Sequence, residues 1–265
     1  LGVLFSLNDE PDAAIVEYEA ALQLDPHSEI LTKELAELYF EKGDFQKAIH
    51  ICETFLDENP KNTDVLLLVG ELYLEIKDYK KAVNAYKSVL EVDPKNIPAY
   101  FYLGSTYAEV KKYDRAISLF KKLLSIDPEN LMGNYYLARI YKTQKKYDEA
   151  EILFKKIIRF NPEFEAVWID LSNLYEIQNK TDLAINNYRD FIKYFPAKVG
   201  IRVRLGELLL RAKRINEAEK EYQTILEMDP KNRETRQTLG ILYLEQGKID
   251  LAIEQFLRLL QDFPG

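Results

Sequence analysis

Two histidines and a single cysteine are the residues of this chain best suited to bind a metal ion or to act as a nucleophile. His27 falls in a predicted loop and His50 on the outer face of a predicted helix, so the pair lacks the spacing of zinc ligands. Cys52 stands where equivalent stretches carry phenylalanine or tyrosine, which predicts a buried packing role. The glycines form no phosphate-binding loop. The sequence therefore predicts no enzyme activity, no cofactor and no metal site.

The segments that would have to position any functional side chain repeat along the whole chain. Proline and alanine each recur at intervals of 34 residues. The two ladders are Pro26, Pro60, Pro94, Pro128, Pro162, Pro196, Pro230 and Pro264, and Ala14, Ala48, Ala82, Ala116, Ala150, Ala184, Ala218 and Ala252. A fixed period of this length indicates stacked structural repeats. We expect one array, made of a partial repeat at 1–28 and repeats at 29–62, 63–96, 97–130, 131–164, 165–198, 199–232 and 233–265.

Each repeat is predicted to fold as two helices, as the stretch 97–130 illustrates. Its first half carries apolar or small residues at steps of three and four, the period of one helical face, at Tyr100, Leu103, Gly104 and Tyr107. A second helix is predicted to open near Asp114 and to end at Asp127, because Pro128 disfavours helical angles in the residue before it. We therefore expect an all-α protein in which every repeat is helix, tight turn, helix and loop.

Small residues mark where the two helices of each repeat should approach most closely. Glycine, alanine or serine recurs on the first helix at Ala36, Gly70, Gly104, Ala138, Ser172, Gly206 and Gly240. Large residues are expected to fill the space between the helices, on second helices at Tyr86, Phe120, Phe154, Tyr188, Tyr222 and Phe256. A bulky side chain at a small position would force the helices apart.

The order Leu-Gly, then Tyr, then Ala, then Phe or Tyr, then Pro within 34 residues resembles the tetratricopeptide repeat. This resemblance implies an α-solenoid of antiparallel helix pairs that forms a right-handed superhelix. It also implies a protein–protein interaction scaffold, in which the first helices line a concave groove that holds a peptide or protein segment. The chain departs from the family pattern at Ser172, Thr181, Phe195 and Leu209, so we expect a looser junction around these repeats.

The resemblance places one stripe of each first helix in the groove. An apolar column runs along this stripe, and the tyrosines beside it widen an aromatic patch at its centre. Two alternatives stay open: these side chains anchor a partner segment, or they pack laterally on the neighbouring first helix. The full set of expected groove residues is Leu67, Glu71, Phe101, Tyr102, Ser105, Glu109, Tyr135, Tyr136, Arg139, Lys142, Ile169, Asn173, Val203, Arg204 and Arg211.

Charge is unevenly distributed along the expected groove. Acidic residues line its first half, at Glu37, Glu41, Glu71, Glu75 and Glu109. Basic residues line much of the second half, at Arg139, Lys142, Arg204 and Arg211. A partner with basic residues at one end and acidic residues at the other would be steered into one orientation. The alternative is that these charged side chains only keep the exposed helix faces hydrated.

Composition limits the classes of partner. The net charge of −8 disfavours general binding to nucleic acid, and no apolar run is long enough to cross a membrane. A single cysteine fits a reducing compartment such as the cytoplasm and leaves the periplasm open, so localisation is not assigned. The chain begins partway through a predicted helix and lacks a polar capping helix after Pro264, so we expect a fragment of a longer protein.

Two other functions compete with groove binding. The first is self-assembly into a homo-oligomer through apolar faces at the two ends of the array. These faces would be formed by Leu1, Leu4 and Phe5 at one end and by Ile253, Phe256, Leu257 and Leu260 at the other. The second is a regulatory or substrate-docking array for an enzyme that lies outside this sequence.

Overall fold

A computed structural model describes residues 10–263 of the chain, which form fifteen helices joined by short turns and loops. The helices are α1 (Pro11–Leu24), α2 (Glu29–Glu41), α3 (Phe45–Glu58), α4 (Thr63–Glu75), α5 (Tyr79–Val92), α6 (Ile97–Glu109), α7 (Tyr113–Ile126), α8 (Leu131–Thr143), α9 (Tyr147–Phe160), α10 (Glu165–Ile177), α11 (Thr181–Tyr194), α12 (Val199–Arg211), α13 (Ile215–Met228), α14 (Arg233–Glu245) and α15 (Ile249–Asp262). From α2 onward, the even-numbered helices start 34 residues apart and are the first helices of their repeats. The prediction of an all-α protein built from helix pairs is confirmed.

The contacts between helices divide the chain into two compact units, unit 1 at Leu1–Gln144 and unit 2 at Lys145–Gly265. Within each unit every helix packs against the next one along the chain. In unit 1 the first helices α2, α4, α6 and α8 also contact one another in succession. This stacking of first helices gives unit 1 a continuous surface made of their outward faces, which we call the first-helix surface of unit 1.

Asparagine or serine side chains start most of the first helices. Asn62, Asn96, Asn130 and Asn232 each accept a hydrogen bond from the backbone N–H three residues later, and Ser28 does the same for α2. Such caps satisfy an N–H group that has no partner inside the helix. The helices α10 and α12 follow Phe164 and Lys198 and have no side-chain cap. These two starts lie in the region where the sequence departs from the repeat pattern.

The turn between the two helices of a repeat places one residue in the left-handed region of the backbone map. This residue is Gly43 or Gly247 in two repeats and a lysine or asparagine in five others, at Lys77, Lys111, Lys145, Asn179 and Lys213. Around Lys77, its own N–H bonds to the carbonyl of Leu74 and the N–H of Asp78 bonds to that of Tyr73. This pair of bonds is the Schellman end of an α-helix, which needs a positive φ at its centre.

Four glycines of first helices, Gly70, Gly104, Gly206 and Gly240, each lie against the aromatic ring of the second helix of the same repeat. A Cβ added to Gly70 would lie 2.5 Å from the ring of Tyr86, and one added to Gly104 would lie 3.1 Å from the ring of Phe120. In unit 2, Gly206 and Gly240 stand in the same relation to Tyr222 and Phe256. The predicted close approach at these positions is confirmed, and it is the ring rather than the opposite backbone that occupies the space.

A second device fixes the loop that joins one repeat to the next. The fourth residue of a first helix reaches back to the carbonyl of the loop proline six residues earlier. Four chemically different donors do this: the Tyr100 hydroxyl to Pro94 at 3.1 Å, the Asn134 amide to Pro128 at 3.1 Å, the Trp168 indole to Pro162 at 2.8 Å, and the Arg236 guanidinium to Pro230. Because this carbonyl lies in a loop, outside the hydrogen-bond ladder of a helix, a side-chain donor satisfies it instead.

Candidate functional site

An open depression of about 520 Å³ lies on the first-helix surface of unit 1. It crosses α4, α6 and α8, and the first residues of α5 and α7 close one side of it. Four of the expected groove residues line the depression, namely Ser105, Glu109, Tyr136 and Arg139. The remaining lining residues are Leu74, Glu75, Lys77, Tyr79, Thr106, Ala108, Tyr113, Ile140 and Thr143. The structure therefore brings these four expected residues to one place.

The aromatic side chains of this surface are packed against one another. Phe101 contacts Tyr136 edge to face at a ring separation of 5.3 Å, and Tyr136 stacks on Phe120 at 6.0 Å. Tyr102 stacks on Tyr86 at 5.4 Å. Lateral packing, one of the two alternatives, is thus observed for Phe101. Because Phe101, Tyr102 and Tyr136 are still half-buried rather than buried, the same rings also present an apolar floor to solvent.

The hydroxyl of Tyr102 is tied to Glu71. A hydrogen bond to the Glu71 carboxylate, with burial as the second cause, raises the pKa of Tyr102 to about 12. The neighbouring Tyr86 is fully buried, and burial raises the pKa of its hydroxyl, which has no hydrogen-bond partner within residues 10–263. Glu71 is half-buried. Leu67 packs on a small core of Leu66, Val89 and Ala99.

The other acidic residues of this surface are exposed. Glu37 and Glu41 on α2, Glu75 on α4 and Glu109 on α6 point to solvent. Across the part of the chain that the structure describes, none of these four carboxylates forms an ion pair within 4.0 Å. The depression itself is bordered by Glu75 and Glu109. Unit 1 thus carries four exposed carboxylates that form no ion pair with another described residue.

The basic residues at the end of unit 1 lie on α8. The Arg139 guanidinium lies over the ring of Tyr135, 5.6 Å from its centre, and Lys142 is half-buried. Tyr135 and Tyr136 are themselves in edge-to-face contact at 6.1 Å. Two basic residues line the depression, Lys77 in the turn between α4 and α5 and Arg139 on α8, so both acidic and basic side chains border it.

In unit 2 one expected groove residue, Arg211, pairs with Glu176, a carboxylate outside the expected groove set. Arg211 forms an ion pair with Glu176 at 2.6 Å, and the Tyr188 hydroxyl donates to the same carboxylate at 3.0 Å. Burial, then the charge of Glu176, raises the pKa of Tyr188, while a hydrogen bond from Arg204 opposes this shift. Arg204 is exposed, whereas Ile169, Asn173 and Val203 are half-buried. The sequence offered one sign of this pair: Glu176 lies 35 residues before Arg211, a separation of one repeat plus one residue.

The residues considered for chemistry are placed as packing and surface groups. Cys52 is fully buried, and burial raises the pKa of its thiol to about 12, so it carries no thiolate at neutral pH. His27 lies 2.6 Å from Glu58 on the exposed surface. Within residues 10–263, no three side chains of histidine, cysteine, aspartate or glutamate are placed to hold a metal ion. In the same range, every helix is too short or too polar to span a bilayer.

The apolar residues expected at the ends of the array fall into two groups. Leu1, Leu4 and Phe5 lie outside the described residues. On α15, Phe256 is half-buried, and the side chains beside it are exposed by half or more: Ile253 by 50%, Leu257 by 53% and Leu260 by 66%.

Comparison with known proteins gives the same repeat. Three family models of the tetratricopeptide repeat match the chain. The first matches residues 7–54, 40–107 and 107–173, the second matches 169–233, and the third matches 238–265. No curated protein matches the chain.

Solved structures match over most of the chain at low sequence identity. A tetratricopeptide repeat protein from Parabacteroides merdae is 21% identical, with a TM-score of 0.63 over 91% of this chain and 95% of its own. The C-terminal part of a repeat protein of this kind from Cytophaga hutchinsonii is 18% identical, with a TM-score of 0.72 over 88% and 96%. YrrB, described as a TPR protein with an unusual peptide-binding site, is 19% identical, with a TM-score of 0.50 over 69% and 94%. At these identities the likeness shows a shared fold.

The family is therefore established by the repeat models, which together cover nearly all of the sequence, and by the helix pairs that recur at the same interval in the structure. Members of this family are generally scaffolds for protein–protein interaction without catalytic activity. The chain belongs to the tetratricopeptide repeat family.

Proposed function

We propose that this protein is an interaction scaffold that docks an extended or helical segment of another protein on its first helices, with the centre of the site in unit 1. The observation that carries the proposal is the open depression of about 520 Å³ across α4, α6 and α8, next to a half-buried aromatic floor. A concave apolar surface with a few polar groups on its rim is the usual form of a peptide-binding site. The peptide-binding site described for YrrB, which has a related fold, agrees with this proposal.

Aromatic residues on this surface supply the anchoring contacts. Phe101 and Tyr136 are held in place by their mutual contact at 5.3 Å, so a partner would meet rings that are already ordered. A rigid ring loses little side-chain entropy when a partner covers it, and aromatic residues dominate the energetics of most interfaces. The remaining expected groove residues of unit 1, including Leu67 and Tyr135, would extend the contact along a longer segment.

The test must separate docking from stability, because Phe101 and Tyr136 are part of the packing. Ala108 is better suited, since it is half-buried and lines the depression. We would pan a displayed library of random 12-residue segments against the wild type and measure binding of the enriched segments to Ala108→Arg. The matched control is Ser118→Arg, which adds the same side chain at an exposed position of α7 in the same repeat.

We expect Ala108→Arg to weaken the enriched segments at least 10-fold and Ser118→Arg to leave their affinity unchanged. The reason is that the new side chain fills the depression that the segments would occupy. Equal binding by the two variants would refute docking at this surface.

Self-assembly is the second candidate function, and the exposed apolar stripe of α15 favours it. Ile253, Leu257 and Leu260 are spaced by four and three residues and lie on one helical face. Light scattering over a concentration series would show whether the mass rises above 31.0 kDa, with Leu257→Lys as the variant that should restore the monomer. A constant monomer mass for the wild type would exclude this candidate.

A further inference from the structure

We infer that the segment docked on unit 1 is basic, with an arginine or lysine side chain seated between Glu75 and Glu109 in the depression. This inference rests on the proposed docking site and adds the chemistry of its occupant. It differs from the expectation drawn from the sequence, in which the partner would carry opposite charges at its two ends.

The first argument is that the acidic side of the surface has no internal partner. Glu37, Glu41, Glu75 and Glu109 are exposed and form no ion pair with any residue between 10 and 263. Glutamates elsewhere in the chain do find cations, such as Glu53 with Lys81 at 3.2 Å and Glu219 with Lys248 at 2.7 Å. Carboxylates of like charge on adjacent helices repel one another, and a cationic partner would relieve this repulsion.

The second argument concerns Arg211, one of the basic residues expected to bind the other end of a partner. Arg211 is already paired with Glu176 at 2.6 Å. Glu207 is exposed on the same helix, α12. An acidic segment would therefore have to displace Glu176 from Arg211 before it gained that contact. Unit 1 also carries the net negative charge of the chain, because residues 1–144 hold 24 acidic and 16 basic side chains, whereas residues 145–265 hold 20 of each.

The third argument is the apolar content of the depression. Tyr79, Tyr113 and Tyr136 line it together with Glu75 and Glu109, and the lining also holds Lys77 and Arg139. An arginine or lysine has a long apolar stem and a charged head, so it can cover a ring with the first and reach a carboxylate with the second. Cations are also attracted to the faces of tyrosine rings, as Arg139 and Tyr135 already show on this surface. Neutral or acidic side chains satisfy only part of this lining.

The experiment uses the same library of random 12-residue segments and counts the charge of the segments that it enriches. Binding of the enriched segments is then measured for Glu75→Gln/Glu109→Gln, which removes two charges with almost no change of shape. The matched control is Glu91→Gln/Glu129→Gln, which removes the same charge from two exposed positions of unit 1 outside the depression. Both double variants have the same net charge, so general attraction of cations to an acidic protein is equal in the two.

We expect segments enriched in arginine and lysine that bind the Glu75/Glu109 variant roughly 3- to 30-fold more weakly, since two exposed ion pairs are lost. The control should retain wild-type affinity, and the difference should shrink at high salt because exposed charges are screened. Enrichment of neutral or acidic segments that Ala108→Arg still blocks would overturn this inference and keep the docking site. Equal loss in both double variants would also overturn it. Segments insensitive to Ala108→Arg would instead refute the docking site itself.

Discussion

The contact between Gly70 and Tyr86 provides the sharpest test of how each repeat is packed. Gly70 lies on α4, and a Cβ placed on it would be 2.5 Å from the ring of Tyr86 on α5. Real Cβ atoms do not come this close to a ring, so Gly70→Ala must displace the ring. Tyr86 is fully buried, with its ring stacked on Tyr102 at 5.4 Å, which leaves it little room to move.

The expected effect of Gly70→Ala is a balance of two opposing contributions. Alanine favours the helical state over glycine by about 1 kcal/mol. Overpacking a filled core costs about 1–3 kcal/mol or more. Because the added Cβ would lie only 2.5 Å from the ring, the cost should fall in the upper part of this range, about 2–3 kcal/mol, so we expect Gly70→Ala to destabilise unit 1 by about 1–2 kcal/mol. At Gly104 the nearest ring atom of Phe120 is 3.1 Å away, and the two effects should nearly cancel. Gly200, on α12, has no atom within 4 Å, and there alanine should stabilise the fold by up to about 1 kcal/mol.

A second substitution should change the effect of Gly70→Ala on stability from destabilising to stabilising. The first complete repeat holds Ala36 and Cys52 at the positions of Gly70 and Tyr86, and both residues are fully buried. Tyr86→Cys alone removes a buried ring and should cost about 3–5 kcal/mol. In that background Gly70→Ala meets no ring and should stabilise by about 1 kcal/mol. The double-mutant cycle should thus show a coupling of about 2–3 kcal/mol.

Urea unfolding followed by circular dichroism would measure these differences. Because repeat arrays can unfold in parts, hydrogen exchange of the amides in α4 and α5 should accompany it as a local measure of stability. Destabilisation by Gly70→Ala of the same size in the presence and absence of the Tyr86 ring would refute the reasoning. So would a stabilising effect of Gly70→Ala alone.

Three further predictions concern helix ends and charge. Lys198→Asn supplies the missing cap of α12 and should raise the free energy of unfolding by about 1 kcal/mol, whereas Asn96→Ala, which removes the cap of α6, should lower it by a similar amount in urea titrations. Lys111→Gly relaxes a residue at a φ of 57° and should stabilise by up to about 1 kcal/mol in the same assay, while glycine at exposed, helical Lys122 should destabilise. A hydrogen bond from Tyr73, with Lys81 assisting, lowers the pKa of Glu53 below its ordinary 4.5, so this stabilisation is complete above about that pH and is lost as the pH falls below it. The melting temperature should therefore fall less between about pH 5 and pH 3 in Tyr73→Phe than in the wild type, and parallel pH profiles would contradict this.

The helix pairs could be predicted from the sequence because the contacts that define them lie at fixed short separations. Gly70 meets Tyr86 and Gly104 meets Phe120 sixteen residues later, inside a single repeat. Residues that serve the same contacts recur at the same place in each repeat, which is why the proline and alanine ladders were sufficient to set the register. The donors to the loop prolines escaped prediction because Tyr100, Asn134 and Trp168 share a geometry but no chemical type.

The candidate site was less predictable because its properties depend on which long side chains meet. The sequence assigned Arg211 to a basic half of the groove, yet Glu176 lies 2.6 Å from it. Glu75 and Arg211 are the last residues of their first helices and occupy equivalent positions in their repeats. Only Arg211 has an ion-pair partner within the described residues. An exposed charge contributes to recognition only when its own neighbours do not neutralise it. Which side chains of the next repeat lie close to it depends on the folded structure and cannot be read from the repeat length. For this reason the unpaired carboxylates of unit 1, rather than the more numerous charged residues of the whole first-helix stripe, are the positions where substitution should change the choice of partner.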